Sequence, residues 1–316
     1  MTMVKNTTYL IWLQWPEKCF RVNASDLKYL RSLLPEGSQI IHARSERSFL
    51  KHLPSATHAI VWNFKSEWFK LAPDLRLLAT PAAGRELLPE KAPSGVKLHF
   101  GHFHGPIIAE SVVGFILAWA RGFFAVQKCQ DKWPRTWLSD RCFDVAGTKA
   151  VVVGYGNVGK AIGSKLKALG VEVTGITRHG IFANGRKVSS SSGRDSAVLS
   201  SADWCILALP STTGTDDWVD ESLLCKLPRH CVLINVGRGN AVNEVALYKA
   251  LKTRRIAGAY LDVRRMEPSA TVLNVPGFVG ELDDLDNCVV MPHSSAFSPR
   301  YLKECFTELF NDGCLY

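Results

Sequence analysis

The chain has 316 residues, 47% of them apolar, which excludes disorder as the default state and suits two domains of ordinary size. Its net charge of +9 is spread over interspersed bases and acids, with no Lys/Arg tract and no zinc-finger or RNA-binding signature. That pattern argues against nucleic acid as a partner and for attraction of small anions.

Nine cysteines, an odd number without a Cys-x-x-Cys pair, read as thiols of a reducing compartment. No signal-peptide pattern opens the chain, and the longest apolar helix, near 112–120, is bounded by Glu110 and Arg121. A cytoplasmic protein without membrane contact is expected.

The first hundred residues alternate strands with helical patterns: strand 8–12, helix 25–34, strands 39–42 and 59–62, helix 67–71, strands 75–79 and 96–100. Such alternation predicts a parallel sheet covered by helices on both faces. His99, His102 and His104 have no acid or cysteine at metal-ligand spacing, so no metal is expected; His104 is noted as a candidate cleft residue. A long helix over 107–128 then leads to Trp133, Pro134 and Trp137. Two indoles on a connecting arm predict a homodimer surface.

Next comes the most specific segment. The apolar strand 148–153 runs into Gly154, Tyr155, Gly156, Asn157, Val158 and Gly159, followed by a helix with Val158, Ile162, Leu166 and Leu169 on one face. Gly170 caps that helix and a second strand spans 171–177, which completes a βαβ unit of the length that dinucleotide sites use. Gly154 makes the turn, Gly156 keeps a side chain out of the phosphate's path, and Gly159 lets helix and strand pack. An NAD site carries an acid at the end of the second strand; here stand Thr177 and Arg178, with His179 and Lys187 following. A hydroxyl beside a guanidinium suits a 2′-phosphate, so NADP(H) is the expected cofactor. An Arg178 that merely faces solvent would leave NAD(H) as the second candidate.

Residues 180–195, with four serines from Ser189 to Ser192, read as a flexible surface loop. Strand 204–209, helix 221–227, strand 231–235, helix 243–252, strand 258–263 and strand 288–291 follow. Three polar residues lie just beyond strands: Arg238, Glu267 before Pro268, and His293 after Pro292. Ligands of open α/β sheets bind at the carboxyl ends of strands, so these three should share the glycine turn's edge. Each alone also fits an ordinary structural role; together at one edge they favour catalysis.

With the glycine turn at Gly154, the Arg-Gly segment at Arg238, the segment from Asp262 to Glu267 and the Pro-His pair at His293, the chain resembles the D-isomer-specific 2-hydroxyacid dehydrogenases. The segment from Ile108 to Val112 is similar to that family's link between domains. The resemblance implies an α/β fold of two doubly wound parallel-sheet domains, a Rossmann nucleotide domain inserted into a flavodoxin-like substrate domain. Residues 1–105 and 293–316 would form the substrate domain and 106–292 the NAD(P) domain. It implies reduction of a small 2-keto acid, glyoxylate- or hydroxypyruvate-like, to the D-2-hydroxy acid. His293 would be the proton donor, Glu267 its carboxylate partner and Arg238 the grip on the substrate's carboxylate and carbonyl. Backbone amides near Ala83 and Gly84 would hold the carboxylate from the substrate domain. Pro210, Thr215, Val236, Asp262 and Ser295 join Asn157 and Val158 as implied cofactor contacts.

Two departures bear on the substrate: Ala82 stands where glycine is common, and Arg264, Arg265 and Met266 replace aromatic and acidic residues. The family also usually runs further past the final helix, expected over 299–310, so a truncated or differently closed tail is anticipated. A nucleotide-sensing corepressor or scaffold would keep the same residues and is the rival reading.

Overall fold

A computed structural model describes residues 7–129, 133–183, 186–189, 194, 197–267 and 282–315. The chain divides into two compact units, Met1–His104 with Phe297–Tyr316, and Gly105–Ala296.

The first unit contains β1 (Thr8–Trp12), α1 (Ala24–Leu33), β2 (Gln39–His42), α2 (Glu46–His52), β3 (His58–Val61), β4 (Leu77–Thr80) and β5 (Lys97–Phe100). Its five strands are all parallel in the order β2-β1-β3-β4-β5, the flavodoxin-like arrangement. Every residue of β3 and β4 is buried, as expected of strands covered on both faces. Asn23 starts α1, its side chain accepting from the amides of Ser25 and Asp26, while Asp26 returns a bond to the Asn23 amide.

The second unit opens with α3 (Gly105–Ala120), α4 (Phe123–Val126) and α5 (Arg135–Ser139). Then come β6 (Lys149–Val153), α6 (Asn157–Ala168), β7 (Glu172–Thr177), β8 (Gly180–Ala183), β9 (Arg186–Ser189) and β10 (Trp204–Leu207). α7 (Glu221–Lys226), β11 (Val232–Asn235), α8 (Glu244–Lys252), β12 (Gly258–Leu261) and β13 (Cys288–Val290) complete it. The sheet order is β13-β12-β11-β10-β6-β7-β8-β9, with the first six parallel and β8 and β9 antiparallel. Two apolar layers sandwich the central strands: Leu223, Leu247 and Leu251 on one face, Val112, Ile116, Ile162 and Leu166 on the other. The chain then returns to the first unit as α9 (Tyr301–Asn311), tied to α1 by Tyr29 Oη and Thr307 Oγ1 at 2.7 Å. Among the described residues no helix is long and apolar enough to cross a membrane.

Three expectations need correction. The helix expected over 107–128 stops at Ala120, because Gly122 takes the left-handed conformation (φ 69°) and packs against Leu138, where a Cβ would meet Cδ1 at 2.6 Å. The expected loop 180–195 is, in its described part, the hairpin β8–β9, drawn onto the sheet by Ile181, 2% exposed against Val151 and Ile176. The final helix spans Tyr301–Asn311 where 299–310 was expected. The rest of the serine run lies outside the described residues.

Leu166 is fully buried between α6 and the sheet. Leu166→Ala is expected to destabilise the protein by about 2–5 kcal/mol, read from the denaturant midpoint.

Candidate active site

The parallel strands β6, β10, β11, β12 and β13 end along one sheet edge, and the loops that leave them carry nearly all the polar residues singled out from the sequence. At the end of β6, the amides of Gly154 and Tyr155 both donate to the Ile176 carbonyl, at 2.9 and 3.1 Å. Gly154 has φ 89°, and a Cβ there would overlap the Ala208 carbonyl; a Cβ on Gly159 would overlap the Gly154 carbonyl. Only glycine serves at either position. By contrast a Cβ on Gly156 would meet open space, and Gly156 is the N-cap of α6. The first-turn amides of Asn157, Val158 and Gly159 have no acceptor within the helix, so the turn presents donors and positive dipole toward that space. These features fit a pyrophosphate.

At the end of β7, Thr177 accepts from the His179 amide at 3.1 Å and donates to the Gly180 carbonyl at 3.2 Å. Arg178 and His179 are thus the two tip residues of the β7–β8 hairpin, both exposed, with Arg178 Nε donating to His179 Nε2 at 3.0 Å. Lys187 pairs with Phe182, level with Gly175 and three residues below that tip.

The three proposed catalytic side chains meet in the second unit. Glu267 Oε2 lies 2.8 Å from His293 Nδ1, while Glu267 Oε1 accepts from the Arg264 amide at 3.1 Å. Arg238 is close enough to act electrostatically on both groups. The hydrogen bond from Glu267 raises the His293 pKa, opposed by burial and by Arg238 and helped by the charges of Glu267 and Asp262. Burial would raise Glu267, but its hydrogen bond to His293, the His293 charge, the Arg264 amide and Arg238 together hold it below its ordinary range. The coupling favours imidazolium beside carboxylate and keeps the ring charged to higher pH than a free histidine. With about half of the His293 side chain exposed, the proton remains within reach of a ligand.

Main-chain packing sets this arrangement. Asn235 is fully buried and staples its own loop, accepting from the Gly237 amide at 3.1 Å and donating to the Arg238 carbonyl at 3.1 Å. A Cβ on Gly239 would overlap the Arg264 carbonyl group, so the Arg238 and Glu267 loops touch backbone to backbone. Asp262, 1% exposed, accepts from the amides of Ser294 (2.9 Å) and Ser295 (3.0 Å) and from the Ser295 hydroxyl, and its carbonyl receives the His293 amide at 2.9 Å. Asp262 and Ser295, both singled out as cofactor contacts, spend these groups on seating His293; Ser295 also accepts from Ser111 Oγ at 3.0 Å. Thr215 closes the loop after β10 through Thr212 and Pro210, and Val236 is 6% exposed at the end of β11. Ala83 and Gly84 lie in the first unit, in the loop after β4, with Ala83 exposed. His104 is buried there, its Nε2 2.8 Å from Tyr301 Oη. Pro268 lies outside the described residues.

Sequence reasoning missed Glu244, the first residue of α8. Its carboxylate takes Arg264 Nε at 3.0 Å and a second guanidinium nitrogen at 3.1 Å, and it accepts the Arg265 amide at 2.8 Å. Asp283 adds a contact to Arg264 at 3.4 Å. The turn whose amide holds Glu267 is thereby clamped to α8. The signal was the pair Arg264–Arg265 just past an apolar strand, which calls for acid partners elsewhere in the chain.

A family model described as D-isomer specific 2-hydroxyacid dehydrogenase, NAD binding domain, matches residues 113–295. The chain is 29% identical over 238 residues to a glycerate dehydrogenase of Methylorubrum extorquens, covering 72% of each chain. To a glyoxylate reductase of Korarchaeum cryptofilum it is 28% identical over 244 residues, 74% of this chain and 70% of that one. Among solved structures, an NAD complex of a D-isomer specific 2-hydroxyacid dehydrogenase from Lactobacillus delbrueckii ssp. bulgaricus superposes with TM-score 0.78 at 18% identity, covering 98% of this chain and 96% of that one. An NADPH-dependent glyoxylate/hydroxypyruvate reductase from Sinorhizobium meliloti, in complex with NADP and sulfate, gives 0.74 at 23% identity, with 98% and 96% covered.

Because a carboxylate on Nδ1 holds the proton on His293, Glu267→Gln is expected to lower the His293 pKa, seen in an NMR titration of the imidazole. Glu244→Gln is expected to lower it by less. No shift in either variant would mean that the pair is not electrostatically coupled.

Proposed function

Since the chain belongs to the D-isomer specific 2-hydroxyacid dehydrogenase family and is an NAD(P)-dependent oxidoreductase, we propose that it reduces a small 2-keto acid, of the glyoxylate or hydroxypyruvate kind, to the D-2-hydroxy acid with NADPH. The observation that carries this reading is the 2.8 Å Glu267–His293 pair within the electrostatic reach of Arg238, on the sheet edge that also bears the glycine turn.

Residues 154–159 would hold the pyrophosphate, and Arg178 with His179 the 2′-phosphate, in place of the acid that favours NAD. The bound nicotinamide supplies hydride. Arg238 pairs with the substrate's carboxylate and polarises its carbonyl. His293 gives the carbonyl oxygen its proton as charge develops there, and Glu267 stabilises the imidazolium until that moment. Asp262 and Ser295 act by seating His293. The amides near Ala83 and Gly84 are assigned to the substrate carboxylate. A homodimer through the arm that follows α3 is supported by Phe123, 61% exposed, and Trp133, 91% exposed. Nine free cysteines are consistent with the reducing cytoplasm.

A panel of 2-keto acids with NADPH and with NADH tests the assignment. Turnover with glyoxylate or hydroxypyruvate, faster with NADPH, is expected; nucleotide binding without turnover on any acid would favour a sensing or scaffold role. Arg178→Ala is expected to raise the NADPH KM about 10- to 100-fold, the worth of one charge-assisted contact, with little change for NADH. Equal effects on both would remove the 2′-phosphate assignment.

A further inference from the structure

Away from that site, one cluster in the first unit joins metal-ligating side chains from distant parts of the chain. His99, on β5 at the edge of its sheet, is 7% exposed, and its Nε2 lies 3.1 Å from Glu308 Oε1 on α9. Its Nδ1 faces the segment at the end of α9: Cys314 Sγ is 3.7 Å away and Asp312 Oδ2 3.9 Å. Glu308 is fixed in turn, because both carboxylate oxygens accept from the His102 amide at 3.0 Å. Cys314 is 4% exposed, and Lys97 Nζ stands 3.1 Å from its sulfur.

An imidazole with a carboxylate behind one nitrogen, and a thiol and a second carboxylate before the other, is a donor set for a borderline-soft divalent metal. The neutral tautomer that donates from Nε2 to Glu308 leaves the Nδ1 lone pair aimed at Cys314 and Asp312, the second sphere that zinc-binding histidines use. Tetrahedral zinc holds nitrogen and sulfur ligands about 3.6 Å apart and nitrogen and oxygen about 3.4 Å apart. His99 and Cys314 already stand at that spacing. Asp312, 51% exposed at the helix end, has to swing in by only about 0.5 Å. The Lys97 ammonium beside the sulfur belongs to an exposed side chain and can leave as a metal enters.

We propose that His99, Asp312 and Cys314 form a zinc site with an open fourth position, oriented by Glu308, that fastens the end of α9 to the edge strand β5. The thiol loses its proton to solvent as the sulfur–zinc bond forms. Metal bound only to the folded state stabilises it by mass action.

The test is titration of the reduced, chelator-free full chain with cobalt(II) chloride. Tetrahedral ligand-field bands and a sulfur-to-cobalt charge-transfer band, saturating at one equivalent and displaced by zinc chloride, are expected, together with a Tm that rises with zinc. Cys314→Ser should abolish the sulfur band, Glu308→Gln should weaken binding about 10- to 100-fold, and Lys97→Met should retain or strengthen it. Absence of the charge-transfer band, or its survival in both Cys314→Ser and Asp312→Asn, overturns the proposal, as does a wild-type Tm indifferent to zinc.

Discussion

A carboxylate with almost no solvent contact decides where His293 stands. Asp262 closes β12, and its oxygens take the two amides and the hydroxyl that follow His293, while its carbonyl takes the His293 amide itself. In between, His293 adopts φ 52°, a left-handed conformation that costs a non-glycine residue roughly 1–2 kcal/mol. Three or more hydrogen bonds to one buried anion can sustain that cost. The result is an imidazole directed at Glu267, and without the Asp262 seat the two would have no fixed separation.

The loops around this seat are held by close backbone approach. Gly154 lies against Ala208, Gly237 against Leu209 and Gly239 against Arg264, each at a distance that leaves no room for a side chain. Loops from neighbouring strands thus interlock, and the Glu244–Arg264 clamp ties the last of them to α8. A site built this way is preorganised: Glu267 and His293 are held at a fixed separation before any ligand arrives, which is where electrostatic preorganisation draws its advantage.

Much of this was legible in the sequence, for identifiable reasons. Strands buried on both faces announce themselves as short apolar runs, so β1, β6, β10 and β11 fall within two residues of expectation, and the glycine turn at Gly154 marks its own edge of the sheet. Arg238, Glu267 and His293 could be singled out because each leaves a strand end. The illegible parts depend on contacts far apart in the chain. Nothing local says that Glu244 clamps Arg264, or that His99 meets Glu308 across 209 positions. The antiparallel hairpin β8–β9 was hidden by neighbouring serines, although Asn184 and Gly185 between its strands form a hairpin-type dipeptide. The long helix ends earlier than its apolar pattern implies, because Gly122, left-handed and packed against Leu138, stops it through a contact that the local sequence does not show.

The central claim, that His293 is the proton donor kept charged by Glu267, is tested most directly by the pH dependence of kcat/KM for keto-acid reduction. On that claim the imidazolium is the active form, and because its pKa is raised, activity should hold through neutrality and fall only as pH climbs past that raised value. In Glu267→Gln the same fall should come at lower pH. A flat profile, or a limb that stays in place when Glu267 is neutralised, would contradict the account.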